Sequence, residues 1–189
     1  MALKKHGITE NTPSELMFSA ATIYKNLKFD TDWAGEVLGA TSGGSKWSLV
    51  EEFMDAEVDG AKVKVKGLKV KVGETGIVEV NMTEFKEDVI VNALHLVEDT
   101  TKPVTGYKKY KTKANIVDTD YLENIAVVGW LTSGKACILI LPNAFCTSGI
   151  EAEPKDKEQA VFALTFEAHA AITDDLDHLP VEIYYPTAA

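Results

Sequence analysis

The sequence predicts a mainly β protein: an antiparallel sandwich or barrel with one flanking helix, an extended loop and terminal arms. Two observations carry that expectation. Six to nine short runs alternate apolar and polar residues between turn signals, while one segment alone reads clearly as helix. The 189 residues are also 46% hydrophobic, which supplies a real core and excludes wholesale disorder. The length fits one domain, 1–189, with residues 1–19 as an N-terminal arm, 29–46 as a long loop and 171–189 as a C-terminal tail.

The chain opens on a polar lead, Thr9 to Pro13, followed by an apolar segment from Leu16 to Tyr24; such a lead suits an arm better than a core. From Phe29 to Lys46 the residues turn to Asp30, Asp32, Gly35, Gly39, Gly43 and Gly44, around Trp33, Val37 and Leu38. That composition predicts a long loop, and loops of this length are usually functional or ordered by a partner. Lys46 to Val58 is rich in strand formers and alternates imperfectly, the mark of a long strand with a bulge. Asp59-Gly60 is a turn signal.

Lys62, Lys64 and Lys66 then alternate with Val63 and Val65. Gly67 shifts the phase, and Lys69 and Lys71 alternate with Leu68, Val70 and Val72. This predicts a strand pair or a bulged strand with one wet lysine face, and lysine protects sheet edges. Gly73 to Gly76 reads as a second turn before a strand from Ile77 to Val80. Asn81 to His95 is the predicted helix, with Thr83 as its N-cap, Glu84 in its first turn, and Phe85, Val89 and Asn92 or Ala93 on one face.

Leu94 to Tyr107 is loop-like around Pro103 and Gly106, and Lys108 to Lys113 is basic with weak alternation. Glu123–Thr132 and Lys135–Leu141 are two apolar strands around Ser133-Gly134, a hairpin by its turn chemistry. Pro142 to Glu158 reads as a polar connection. Gln159 to Ala170 alternates well, with Ala160, Phe162, Leu164, Phe166 and Ala168 on one face. A polar, acidic stretch from Thr173 to Pro180 leads into a last strand, Val181 to Tyr185.

Charge narrows the function. The chain carries 19 basic residues, all lysine, against 29 acidic ones, for a net charge of −10. Duplex binders need clustered cations to release counterions, and without arginine there is no bidentate fork for guanine edges or phosphates. The charge is segregated: residues 61–113 hold 11 lysines and 7 acids, while 114–189 hold 3 lysines and 12 acids. Complementary surfaces of that kind favour head-to-tail self-association. A secretory leader and a membrane-spanning run are not expected from the apolar pattern.

Signals for chemistry fail on inspection. Gly39 to Trp47 has the look of a phosphate loop, but Ser45 stands where the lysine belongs and a strand follows where a helix is required. Asp174, Asp175, Asp177 and His178 lack the spacing, central glycine and closing glutamate of a calcium loop, so an acidic turn is the plainer expectation. Cys137 and Cys146 are expected as free thiols. No nucleophile elbow or paired-histidine helix is present. Catalytic residues, cofactors and metals are therefore not expected.

A set of stretches running in order along the chain resembles the major tail protein, or tail tube protein, of long-tailed, siphovirus-like bacteriophages. They are Gly7–Pro13, Ile23–Asn26, Leu38–Gly44, Glu57–Lys62, Lys66–Lys69, Asn143–Gly149, Phe166–His169 and Pro180–Pro186. Ala170-Ala171 and Val181 depart from the pattern, where Tyr-Asp and Trp are expected. The resemblance implies a tail tube fold, a small antiparallel β-sandwich with one flanking helix. It further implies a structural, non-enzymatic virion protein assembled in the host cytoplasm, with six copies to a ring and rings stacked around a tape measure protein. Tail terminator and distal tail proteins would close the ends, and DNA would pass through without binding. An acidic bore repels phosphates, and Glu51, Glu52, Asp55 and Glu57 are the candidates to line it. Candidates for contacts between subunits and rings are Asp30, Asp32, Trp33 and Leu38 in the loop, and Lys64 and Lys66 on the lysine face. The alternative from another class is a monomeric β-sandwich that binds or decorates a phage particle, and a third is a hydrolase built on Cys146.

Overall fold

The computed structural model describes residues 6–17, 19–29 and 33–187. A short helix, α1 (Thr12–Glu15), precedes β1 (Thr22–Lys28), β2 (Ala34–Val37), β3 (Thr41–Asp55) and β4 (Lys69–Met82). Helix α2 (Glu87–Ala93) leads to β5 (Leu96–Glu98) and β6 (Tyr110–Thr112). A 3-10 turn (Asp118–Asp120) enters β7 (Leu122–Trp130), followed by β8 (Ala136–Cys146), β9 (Phe162–Glu167) and β10 (Glu182–Tyr184). The strands join in the order β2-β1-β7-β8-β9-β4-β3, with β10 added on β8, while β5 and β6 form a separate hairpin.

The path folds into two layers at β8. Residues Ile138–Ile140 pair with both β7 and β10, whereas Phe145 and Cys146 pair with β9. The facing sides form one core from Ile23, Val78, Val80, Met82, Ile125, Val127, Leu139, Leu141, Leu164 and Phe166, and α2 adds Val89 and Ala93. A second cluster, Leu27, Ala126, Val128, Ile138 and Ile140, lies on the opposite face of β7 and β8 beneath Tyr24 and Phe29. Burial on both faces explains why Ile125–Val128 and Ile138–Leu141 are continuous apolar runs rather than alternating ones. Each large side chain sealed in this way contributes about 1.5–3 kcal/mol.

The mainly antiparallel β architecture, the bulged β3, the β7–β8 hairpin and the inward face of β9 match the expectations. Both cysteines are free. Other expectations need correction, and glycine is the main reason. The stretch 29–46 is not one loop, since Ala34–Val37 and Thr41–Lys46 are strand. Gly35 is there for close packing, because a Cβ would stand 2.9 Å from Leu27 Cδ1, and Gly43 and Gly44 adopt φ of 80° and 84°. They fall in the register shift between Thr41 and Ser45, so they mark a bulge. Gly73–Gly76 is likewise no turn. It lies inside β4, where a Cβ on Gly76 would stand 3.4–3.5 Å from Ala168, Leu141 and Val181.

The predicted helix starts too early. β4 runs on to Met82, and Thr83 is not an N-cap, because its N–H and hydroxyl both donate to the Ala40 carbonyl, at 2.9 and 3.1 Å. Lys86 occupies the cap position instead. Lys62–Lys66 lies in the connection between β3 and β4, where Gly67 at φ 97° turns the chain and Leu68 N donates to Val65 O. β8 passes through Pro142 to Cys146, because Pro142 falls between the last partner in β10 and the first in β9, where that side of β8 has no strand neighbour.

Candidate assembly interface

β2 and β3 lie at opposite ends of the strand path, yet three residues join them. Leu38 N donates to Ile23 O at 2.9 Å, and Ala40 N donates to Glu84 Oε2 at 3.0 Å, so Leu38–Ala40 carries one continuous segment from the edge of one layer to the edge of the other. Gly39 makes the corner at φ 154°, where a Cβ would stand 2.7 Å from Met82 Cε. β2 pairs with β1 alone and β3 with β4 alone. Residues 34–55 therefore form a single open margin whose outer backbone groups have no strand partner, the kind of edge that accepts another chain.

The distal half of β3 projects beyond the sandwich. β9 pairs β4 from Ile77 to Met82 only, so Lys69–Thr75 has no strand neighbour but β3, while Gly76 O accepts from Ala168 N and Glu74 from Leu179 N, both at 2.9 Å. This two-stranded ribbon leaves Val50, Phe53, Met54, Val70 and Val72 each about half exposed. A hairpin of this kind is marginal alone in water, and so many apolar side chains on one projection mark an interaction surface.

The two faces of the ribbon differ in charge. Lys71 Nζ lies 3.1 Å from Glu51 and 2.9 Å from Glu74, and Lys69 Nζ lies 5.5 Å from the centroid of the Phe53 ring and 3.5 Å from Asp55. Glu51, Phe53 and Asp55 therefore share a face with Lys69 and Lys71. Asp55 also pairs with Lys64 at 2.6 Å, and that hydrogen bond holds its carboxyl below the usual range. Hydrogen bonding to Glu74 raises Lys71, and the same bond lowers Glu74, helped by the Leu179 N–H. The other face carries Glu52, opposite Gly73, and continues along the outward side of the second layer through Glu79 and Glu167. Glu79 pairs with Lys46 at 2.8 Å, whereas Glu52 and Glu167 have no ion pair among the described residues.

The candidate residues thus separate. Glu51 and Asp55 are neutralised by lysines, Glu52 faces the opposite way, and Glu57 is exposed in the connection beyond β3. Leu38 is 1% exposed and belongs to the core at the corner, so it is not a surface contact. Trp33 is half exposed, with its ring 4.8 Å from that of Phe29. Lys64 and Lys66 stand at the ribbon tip, while Asp30 and Asp32 lie outside the described residues. Sequence reasoning missed Glu79 and Glu167; their alternation with Val78, Val80 and Phe166 was the available signal. The Gly39–Trp47 segment runs as bulged strand and offers no helix N-terminus.

In the acidic turn, Asp174 accepts from Ala171 N and Asp175 from Asp177 N. No group of three or more His, Cys, Asp or Glu among the described residues is placed to hold a metal ion. Cys146 is buried, and His95 donates to the Cys146 carbonyl at 2.9 Å rather than addressing the thiol. No described helix is long and apolar enough to cross a membrane.

No family model and no curated protein matches the chain. Solved structures do. The tube-terminating cap of an anti-feeding prophage matches with a TM-score of 0.53 and 14% identity, covering 98% of this chain and 100% of that one. A chain from the C6-symmetric tail of an empty gene transfer agent particle matches at 0.46 and 13% identity, over 80% of this chain and 92% of that one. A chain of the native gene transfer agent virion matches at 0.44 and 14%, with the same coverage. Of these three, the cap aligns closely enough to establish a shared fold.

Proposed function

We propose that this chain is a structural subunit that polymerises into the tube of a phage-type tail, as stacked six-membered rings whose bore conducts DNA. The observation that carries this reading is the open margin from Ala34 to Asp55, ending in a ribbon with apolar side chains exposed on it. A monomer gains nothing from such a margin, which invites aggregation unless a partner covers it. Ring closure would cover it by pairing copies edge to edge.

The bore is best assigned to the outward face of the second layer, where Glu52 and Glu167 have no ion pair among the described residues, while Glu79 on the same face has its charge matched by Lys46. Glu57, exposed in the connection beyond β3, stays a candidate for the bore, and phosphates passing an acidic surface meet repulsion rather than binding sites. Glu51 and Asp55 fit the contact face better, because their charge is already matched. Lys64 and Lys66, with the loop residues Asp30, Asp32 and Trp33, supply contacts between subunits and rings. A tape measure protein in the bore, with tail terminator and distal tail proteins at the ends, completes the assembly in a virion.

Negative-stain electron microscopy with light scattering over a range of concentrations tests the proposal. Hollow rings or tubes are expected, with a tail tip complex supplied as nucleus where needed. A monomer at every concentration, with or without that nucleus, refutes polymerisation and leaves the monomeric binding module. In the Lys64→Glu, Lys66→Glu double variant, assembly is expected to weaken while the fold persists; unchanged assembly removes these lysines from the contact.

A further inference from the structure

We infer that Asp59-Gly60 is a self-modifying site: in the free subunit the backbone nitrogen of Gly60 closes on the Asp59 carboxyl, and the link between the two residues migrates to the aspartate side chain. Asp59 is the one aspartate in the chain that glycine follows, and glycine follows no asparagine. Any other residue in the second place would set a Cβ beside the attacking nitrogen, whereas glycine leaves the approach open.

The surroundings leave this pair free to react. Both residues are exposed, in the connection that joins β3 to β4. Ala61 N donates to Val58 O at 3.1 Å to close the turn, with Gly60 at φ 85°. A Cβ built on Gly60 would have nothing within 4 Å. Among the described residues, the Asp59 carboxyl has no hydrogen bond or ion pair, and Gly60 N donates to no acceptor. Aspartates in other turns are tied down. Asp99 accepts from Thr101 N, Asp120 from Val117 N, Asp174 from Ala171 N and Asp175 from Asp177 N. Such bonds commit a carboxylate to its own turn and hold it off the next nitrogen.

The reaction needs water alone. Gly60 N bonds to Asp59 Cγ, the Cγ–OH bond breaks, and the departing hydroxyl takes the proton from nitrogen, so an imide ring forms as one water leaves. Water then adds to either imide carbonyl. Addition at Cγ restores aspartate. Addition at the main-chain carbonyl carbon breaks its bond to Gly60 N, the proton returning to that nitrogen, and the chain now runs through Asp59 Cβ and Cγ. The mass is unchanged, but the backbone is one carbon longer and the carboxylate sits on Cα. The altered connection also carries Lys64, whose Nζ pairs with Asp55 at 2.6 Å. On the reading that this tip makes contacts between copies, a lengthened tip joins the tube less readily, so the site ages the unassembled subunit.

Dilute wild-type protein held at physiological temperature for several weeks tests the chemistry. Cleavage after lysine releases residues 47–62. This peptide is expected to split into two peaks of equal mass, the new one accepting a methyl group from an isoaspartate-specific methyltransferase and carrying its change at residue 59. Asp59→Glu, which would have to close a larger ring, is expected to lose the new peak, although Asp55 remains in the same peptide. Asp59→Asn reaches the same imide by releasing ammonia, and is expected to react about tenfold faster, a barrier lower by about 1.4 kcal/mol. No new peak in the aged wild type, or one arising at Asp55 alone, overturns the site. So does an Asp59→Asn variant that keeps its amide. Aged protein is then polymerised with a tail tip supplied, and isomerised chains are expected to be enriched in the unassembled fraction. Equal shares in both fractions overturn the ageing and leave the modification standing. If fresh protein fails to polymerise as well, self-association fails, while the peptide from the dilute subunit still decides the modification.

Discussion

Lys25 is the most instructive single residue. It is 7% exposed on β1 between Ile23 and Leu27, and its Nζ meets Asp88 of α2 at 2.5 Å and Glu36 of β2 at 2.8 Å. Burial by itself lowers the lysine, but the hydrogen bonds and charges of Asp88 and Glu36 outweigh it and hold Lys25 above its ordinary 10.5. For Asp88, burial raises the carboxyl, and Lys25 more than reverses this, leaving it below 3.8. The two sides of this cluster are not equivalent. Lys25→Met leaves two carboxylates that already reach water, at a cost of about 1 kcal/mol or less. Removing both acids, by Glu36→Gln with Asp88→Asn, strands a buried cation and costs about 3 kcal/mol in urea unfolding. The Asp88 contribution is present above pH 3.8 and lost as pH falls through its lower folded value. The gap between wild type and the double variant should therefore narrow as the pH falls below 3.8. A gap that stays constant as the acids protonate would show that the cost comes from packing.

At the scale of elements, the β3–β4 ribbon makes the sharpest distinction between folding and assembly. Phe53 and Met54 touch the main core nowhere and are half exposed. Replacing both with serine should leave the melting temperature within about 2 °C while raising the concentration needed for polymerisation, measured by sedimentation. A matching drop in melting temperature would make them fold residues instead. The ribbon also shows what was legible beforehand. β3 and its bulge could be read from strand formers and broken alternation, and β9 from the regular spacing of Phe162, Leu164 and Phe166. The glycines misled, because Gly35, Gly73 and Gly76 serve close approach between strands, and proximity across a sheet leaves no mark in local sequence. Alternation marked Glu79 and Glu167 singly, but not as one face, because β4 and β9 are neighbours only through the fold, their paired residues 80 to 90 apart in the chain. The imperfect alternation left Glu51, Glu52 and Asp55 grouped as one acidic set, and the neutralisation of Glu51 and Asp55 depended on lysines that only the pairing of β3 with β4 brings near.

Taken whole, each copy carries a net charge of −10, so bringing many copies together works against repulsion. The Debye length shrinks from about 30 Å at 0.01 M salt to about 8 Å at 0.15 M. Repulsion between copies should be screened first, and the critical concentration should fall as salt rises over that range. A critical concentration that rises with salt would mean that lysines of 61–113 meeting acids of a neighbour dominate the contact.

The segment from Ala34 to Asp55 also has a mechanical meaning. Because it passes from one layer to the other without interruption, a pull on the ribbon tip travels along covalent backbone, through the buried corner at Leu38, to β2 and its partner β1. Load on that path shears whole rows of hydrogen bonds together instead of unzipping them one at a time. A tube built from such subunits would bend under stress by flexing between copies, with each sandwich held rigid by its own tie.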